Sequence, residues 1–251
     1  MLQNPTNDSQ YIESMLTQFK LVDIKLHYKE LIDKAIKEQL SYQDFFIELL
    51  KCEELGKRQR KIERLIKNAT FETTKGFSDI DFSFNPKLDF QKIKHLASLE
   101  FLDRQENIIL IGPPGVGKTL IATAIGREAC KKGKTVLFVN ALDLMNQLVD
   151  ARKNGTLKNM FKKLSSIELL IIDELGYLKM DIEKESIFFQ LIRQRYEKRS
   201  LIVTSNLPLG KWNEVFTGQI AATAILDRLL HHAHVLSITG DSYRVKNNVK
   251  G

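Results

Sequence analysis

The sequence predicts an α/β fold: an open five-stranded parallel sheet covered by helices on both faces, preceded by a small all-α domain. Three observations carry this. Short apolar runs, mostly β-branched, alternate with amphipathic segments after Asn107. No proline occurs between Pro5 and Pro86, and apolar residues recur at helical spacing from Tyr11 to about Asn68. A glycine-rich turn, GPPGVGKT (112–119), joins the first apolar run to the first amphipathic segment behind it.

The N-terminal helices are read from Ile12, Met15, Leu16 and Phe19, then from Leu31, Ile32, Ala35 and Ile36. Ser41 followed by Asp44 has the form of a capping box and opens a long helix. Its expected apolar face runs through Phe45, Phe46, Leu49, Leu50, Ile62, Leu65 and Ile66. The end of that helix, KRQRKIERLIK (57–67), sets Lys57, Arg58, Arg60, Lys61, Arg64 and Lys67 against Glu63 alone. Such a run is either a solvated helix end, which favours cations, or a contact to DNA backbone. Residues 69–90 change character, with Gly76 and Pro86 among Phe71, Phe77, Phe82, Phe84 and Phe90. Glycine and proline mark a linker, and that many rings seek burial, so the linker is expected to pack along the second domain.

Beyond it the expected strands are Ile108–Ile111, Thr135–Val139, Leu169–Ile172, Leu201–Thr204 and His234–Ile238. Helices are expected at 118–131, 142–153, 182–197 and 221–231. Right-handed crossovers then lay the helices on both faces of the sheet. The resulting division is a helical domain over 1–68, a linker and lead-in over 69–106, and a core over 107–251.

Composition narrows the function classes. No apolar run approaches the ~20 residues of a membrane helix, and MLQNPTNDSQ has neither the charged nor the apolar region of a signal peptide. A cytoplasmic, membrane-free protein is expected. The two cysteines, Cys52 and Cys130, lie far apart, so neither disulfide nor zinc is expected. A net charge of +7 suits an anionic partner such as nucleic acid.

Gly112, Gly117, Lys118 and Thr119 match the phosphate-loop pattern in full, with strand IILI before and helix TLIATAIGREAC after. Converging backbone N–H groups would hold phosphates. Lys118 adds a charge near the β- and γ-phosphates, and the Thr119 hydroxyl serves Mg²⁺. In LLIIDELG (169–176), Asp173 and Glu174 follow a buried strand at the end where ligands sit in open α/β sheets. Asp173 is suited to Mg²⁺ and Glu174 to activating a water. A water-activating group favours a hydrolase over a small-molecule kinase, which must exclude water. In LIVTSNLP (201–208), Asn206 points into the same crevice if its strand neighbours the acidic one, and is otherwise an ordinary turn residue. In TAILDRLLHHAH (223–234), Arg228 is either half of a surface pair with Asp227, worth ~0–1 kcal/mol, or an arginine reaching a neighbouring subunit's phosphates. His231, His232 and His234 are not spaced to meet one ion, and no cysteine or second carboxylate set accompanies them, so no transition-metal site is expected.

Taken together, GPPGVGKT, LLIIDELGYL, TSNLP, ATAILDRLLHHAHV and GDSYR resemble the IstB-like ATPases, AAA+ proteins that accompany transposases of insertion sequences and are related to DnaC-type helicase loaders. The resemblance extends through LSYQDFFIELL and DFSFNP to the C-terminal SYR. It implies an AAA+ P-loop core without a C-terminal lid and the cofactors ATP and Mg²⁺. The nucleotide would be held by Gly112, Pro113, Pro114, Gly115, Val116, Gly117, Lys118, Thr119 and Leu120. Asp173 and Glu174 become the Walker B pair, Asn206 a sensor, Arg228 an arginine finger acting in trans, and Arg244 a further phosphate contact. The partners implied are double-stranded DNA bound in a sequence-tolerant manner, a cognate transposase, and further copies of the same chain. A DnaC-like replicative helicase loader is the alternative, and a monomeric P-loop kinase the alternative from another class.

Overall fold

The computed structural model describes residues 5–82, 85, 88–240 and 242. The chain divides into two compact units between Arg64 and Leu65. The first is helical: α1 (Pro5–Gln18), α2 (Val22–Glu38) and most of α3 (Tyr42–Asn68). The Ser41 hydroxyl accepts from the Asp44 backbone N–H at 3.1 Å and donates to the Asp44 carboxylate at 2.6 Å, so the expected capping pair opens α3. Its apolar face departs from expectation. Phe45 and Leu49 are half-buried, whereas Phe46 and Leu50 are exposed, because the apolar residues fully buried in this unit, Ile24 and Tyr28, come from α2.

A buried carboxylate organises the first unit. Glu53, on α3, accepts the backbone N–H groups of Asp23 at 2.8 Å and Ile24 at 3.2 Å, satisfying orphan donors at the start of α2. Its other oxygen meets Arg60 at 3.2 Å and Lys57 at 3.7 Å. Arg60 also binds the Asp23 carboxylate.

The second unit is built on one parallel sheet. Its strands are β1 (Asn107–Ile111), β2 (Val136–Asn140), β3 (Leu169–Asp173), β4 (Ser200–Ser205) and β5 (Ala233–Ser237), in the order β2-β3-β4-β1-β5. Side chains alternate between the faces. Ile109, Ile111, Leu170, Ile172, Leu201 and Val203 enter one core, and Ile108, Leu110, Leu169, Ile171 and Ile202 the other. The first core is covered by α7 (Ala141–Lys153), α8 (Leu157–Ser166), α9 (Ile182–Arg195) and α10 (Gln219–Leu230). The second is covered by α4 (Phe90–Ala97), the single turn α5 (Glu100–Asp103) and α6 (Lys118–Lys131). A sheet buried on both faces explains why its strands read as continuous apolar runs.

The linker packs on the second core. Phe138 N–H donates to Ala69 O at 2.8 Å and Thr70 Oγ1 to Phe138 O at 2.8 Å, so residues 69–70 lie along β2. Phe71 meets Phe138 edge-on, and Phe77 and Phe82 are packed against the same cluster. Phe84 lies outside the described residues. Three helices not expected from the sequence are α4, capped by the Asp89 side chain, the single turn α5, and α8.

Arg195, at the end of α9, is fully buried and has no carboxylate partner among the described residues. Its guanidinium donates to the carbonyls of Leu164 at 2.6 Å, Ile167 at 3.0 Å and Ser200 at 2.8 Å, tying the end of α8 to the starts of β3 and β4. Burial pushes its pKa down to about 9, so it stays charged at neutral pH. Arg195→Leu removes the charge-assisted hydrogen bonds to these carbonyls and is expected to cost about 3 kcal/mol, read as a lower urea midpoint. Arg195→Lys should recover little, because one ammonium cannot span all three acceptors.

Candidate nucleotide site

The turn after β1 and the ends of β3 and β4 meet at the carboxyl edge of the sheet, where open α/β sheets bind ligands. A cavity of about 410 Å³ opens there. One wall is the phosphate loop from Pro114 through Ile121, and a second holds Glu174, Thr204 and Asn206. The third is the linker, from Glu72 to Leu88.

Each wall has a local cause. Gly117 takes φ +97° as it caps α6, a conformation that glycine adopts without steric cost. The first backbone N–H groups of α6 then face the cavity without intrahelical partners, and the helix dipole adds to their pull on an anion. Lys118 is buried and folds its ammonium back over the loop, donating to Gly112 O at 2.7 Å and Pro113 O at 2.8 Å.

At the end of β3, Asp173 is almost wholly buried. The Thr119 hydroxyl lies 3.0 Å and 3.2 Å from its two carboxylate oxygens, and the Thr204 hydroxyl donates at 2.5 Å. Burial raises the Asp173 pKa, opposed by these two hydroxyls. The donor set of a carboxylate and a hydroxyl beside a helix N-terminus fits Mg²⁺ together with a phosphate chain. Glu174 sits in the left-handed region at φ 62°, uncommon for a non-glycine residue. That turn lifts its carboxylate into the cavity while its N–H donates to Thr204 Oγ1 at 2.9 Å. The Asn140 amide, from the end of β2, donates to Glu174 Oε2 at 3.0 Å.

Asn206 follows β4 and reaches the crevice, because β4 lies beside β3. Its Oδ1 is buried with no hydrogen-bond partner among the described residues, which is costly unless a ligand supplies a donor. Gly176 makes room for it: a Cβ there would stand 2.1 Å from Asn206 Oδ1.

Arg228 is not in this cavity. Its guanidinium lies over the Phe189 ring at 5.1 Å and the Tyr196 ring at 5.9 Å, and it donates to Ala224 O at 2.7 Å. Among the described residues it makes no ion pair with Asp227. Arg244 lies outside the described residues. The histidines divide. His234 meets Glu106 at 2.7 Å, whereas His231 and His232 gather with Glu197, their ligand atoms within 4.8 Å of one another, all three exposed. The sequence did not announce that carboxylate, which lies on the turn after α9.

Three contributors escaped sequence reasoning. Thr204 and Asn140 are polar residues at the carboxyl ends of parallel strands, and that position was itself a signal. Asn85, in the linker, donates to Thr239 O at 2.6 Å beyond β5 and closes the cavity from the side.

The sheet order, the phosphate loop and the acidic end of β3 define an AAA+ P-loop nucleotide-binding protein. More narrowly, the chain belongs to the family described as IstB-like ATP binding protein, which it matches over residues 14–251. It is similar to an ATP-binding protein of insertion sequence IS21 from Pseudomonas aeruginosa, 41% identical over 239 residues, covering 95% of this chain and 90% of that one. A second relative, from insertion sequence IS232 of Bacillus thuringiensis subsp. berliner, is 41% identical over 242 residues, covering 96% and 97%. Among solved structures, the DnaC helicase loader has the same fold, with a TM-score of 0.53 and 20% identity, covering 69% of this chain and 98% of that one. Among the described residues no helix is long and apolar enough to cross a membrane.

Lys118→Ala removes the one ammonium that the loop holds. Nucleotide affinity is expected to fall about 100-fold, since a charge-assisted contact to phosphate is worth roughly 1.5–3 kcal/mol. Titration with a fluorescent ATP analogue measures it, with the melting temperature of the empty protein as control.

Proposed function

We propose that the chain is a Mg²⁺-dependent ATPase that assists transposition, assembling as an oligomer on duplex DNA and stimulating its partner transposase. One observation carries the hydrolytic part: Asp173 ends β3 buried against Thr119, and Glu174, the next residue, is raised into the cavity. When bound, Mg²⁺ supplies a Lewis acid that draws charge from the β- and γ-phosphate oxygens. Thr119 and Asp173 are the residues to hold it. Glu174 accepts a proton from the attacking water, and Asn206 orients that water or the γ-phosphate. Lys118 and the first N–H groups of α6 bind the phosphates and keep them in line.

Arg228 is assigned to a neighbouring subunit's nucleotide. It lies away from its own cavity, and stacking on Phe189 and Tyr196 holds the guanidinium without neutralising it. An oligomer would then be complete only with ATP between its subunits. The names of the relatives, which place them in insertion sequences, support a transposase as partner. On α3, the cations Arg58, Lys61, Arg64 and Lys67 are exposed and suit DNA phosphates, whereas Lys57 meets Glu53 and Arg60 is engaged by Asp23 and Glu53.

Glu174→Gln should keep nucleotide affinity within about twofold and lower turnover by about 10²–10⁴. An unchanged rate of phosphate release would remove Glu174 as the base. Arg228→Ala should bind ATP and hydrolyse it about 10³-fold more slowly. Mixing it with Lys118→Ala should restore part of the rate, because each supplies what the other lacks. No recovery on mixing, or a wild-type rate per subunit independent of protein concentration, would favour a self-contained monomeric enzyme.

A further inference from the structure

We propose that the solvent face of α8 is a second DNA-backbone surface, on the nucleotide-binding unit itself. The inference rests on the reading above that the protein binds duplex DNA, and adds where it does so.

The argument starts from packing. α8 buries Phe161 and Leu164, with Leu157 and Met160 partly buried against the same core. These positions, i, i+3, i+4 and i+7, form one stripe. The opposite face is left to Lys158, Asn159, Lys162, Lys163 and Ser166, all exposed. From residue 152 to 166 there are five cations and no Asp or Glu. Arg152 finds Glu183 at 3.6 Å, but Lys158, Lys162 and Lys163 have no carboxylate partner among the described residues.

The helix's own electrostatics do not account for this pattern. Cations suit a helix C-terminus, and Lys163 in the last turn fits that rule. Lys158 stands in the first turn, beside the positive end of the dipole, where no acid offsets it. Three like charges within about 8 Å of helix axis repel one another. An external array of negative charge relieves both costs.

Its chemistry is phosphate rather than an acidic protein. Lysine is depleted from protein–protein interfaces, whose centres are aromatic and apolar. This face of α8 offers no exposed apolar side chain, only lysines and small polar groups, as in contacts that position a protein on DNA without reading its sequence. The basic end of α3 differs, since there Lys57 and Arg60 already meet Glu53.

The test is the salt dependence of binding to labelled duplex DNA, measured by anisotropy on the full chain with a non-hydrolysable ATP analogue. Lys158→Gln, Lys162→Gln and Lys163→Gln are combined in one variant, and Lys61→Gln, Arg64→Gln and Lys67→Gln in another. Each phosphate contact contributes about 0.9 to the slope of log affinity against log salt. The α8 variant should therefore lose about two to three units of slope and bind at least tenfold more weakly at low salt. Its nucleotide affinity and melting temperature should stay unchanged, and arginine at the three positions should preserve the slope. An unchanged slope in the α8 variant, with the wild type binding DNA, overturns this surface and leaves the DNA reading intact. If that variant keeps its DNA slope but loses capture by the purified transposase, the face is a protein contact and the proposal is wrong. A wild type that binds no duplex at any salt sinks the underlying reading itself.

Discussion

The site turns on a carboxylate that the fold has removed from water. Asp173 ends β3 in the middle of a sheet covered on both sides, where burial pushes its pKa up and two hydroxyls push it down. Those hydroxyls come from different parts of the fold: Thr119 from the start of α6, behind β1, and Thr204 from β4. One acid thus fixes the phosphate loop and two strand ends relative to one another. The strand order makes this possible, because β4 lies between β3 and β1. A buried carboxylate held by neutral partners gains from a cation more than a solvated one does. On the function proposed here, that gain draws Mg²⁺ to the junction of loop and sheet.

Glu174 has the opposite environment. It is the next residue, yet it is exposed, and its backbone takes a left-handed turn. The turn stores some strain, of order 1 kcal/mol, and Thr204 offsets part of it by accepting the Glu174 N–H. Two adjacent acids are thereby separated, one held in the protein and one presented to the cavity. Asn140 holds the presented carboxylate from the side. Since Asn140 also caps α7 through its Oδ1, the Glu174 carboxylate and the start of that helix share one side chain. Pairs of acids placed in unlike environments are how a single site assigns metal binding and proton transfer to different groups.

The parts of this arrangement legible in the sequence are those encoded locally. The phosphate loop is a fixed spacing of glycines between a strand and a helix. The strands are runs of four or five apolar residues. The capping pair at Ser41 and Asp44 spans four positions and forms as read. What escaped was non-local, or masked by a stronger cue. The bonds Asn140–Glu174, Thr204–Asp173 and Asn85–Thr239 join segments 34, 31 and 154 residues apart, and no periodicity announces them. The glycine and proline of 69–90 suggested a lead-in without helices, yet Ile93 and Leu96 of α4 are as buried as any strand residue. α8 does carry its stripe in the sequence, but the Asn154–Gly155–Thr156 break before it reads as a loop rather than as a turn between two helices. In the run 57–67, Arg60 is engaged both by Glu53, just outside the run on the same helix, and by Asp23, 37 residues away on α2, a contact that no local pattern announces.

The same non-locality explains why Arg228 could not be resolved from the sequence. Beside Asp227, a surface ion pair was the simplest reading. In the structure the guanidinium instead lies on two rings, Phe189 of α9 and Tyr196 just beyond it, and returns one N–H to its own helix. Aromatic faces orient a guanidinium yet leave its charge uncompensated, which no carboxylate partner would do. An arginine needed only for stability of α10 would be better served by Asp227. One kept charged, oriented and half-exposed is suited to a phosphate from outside its own subunit. On the function proposed here, that distinction, between a cation that is neutralised and one that is only held, supports a shared site for Arg228. It also separates Arg228 from Arg195, which is fully buried against backbone carbonyls and out of a ligand's reach.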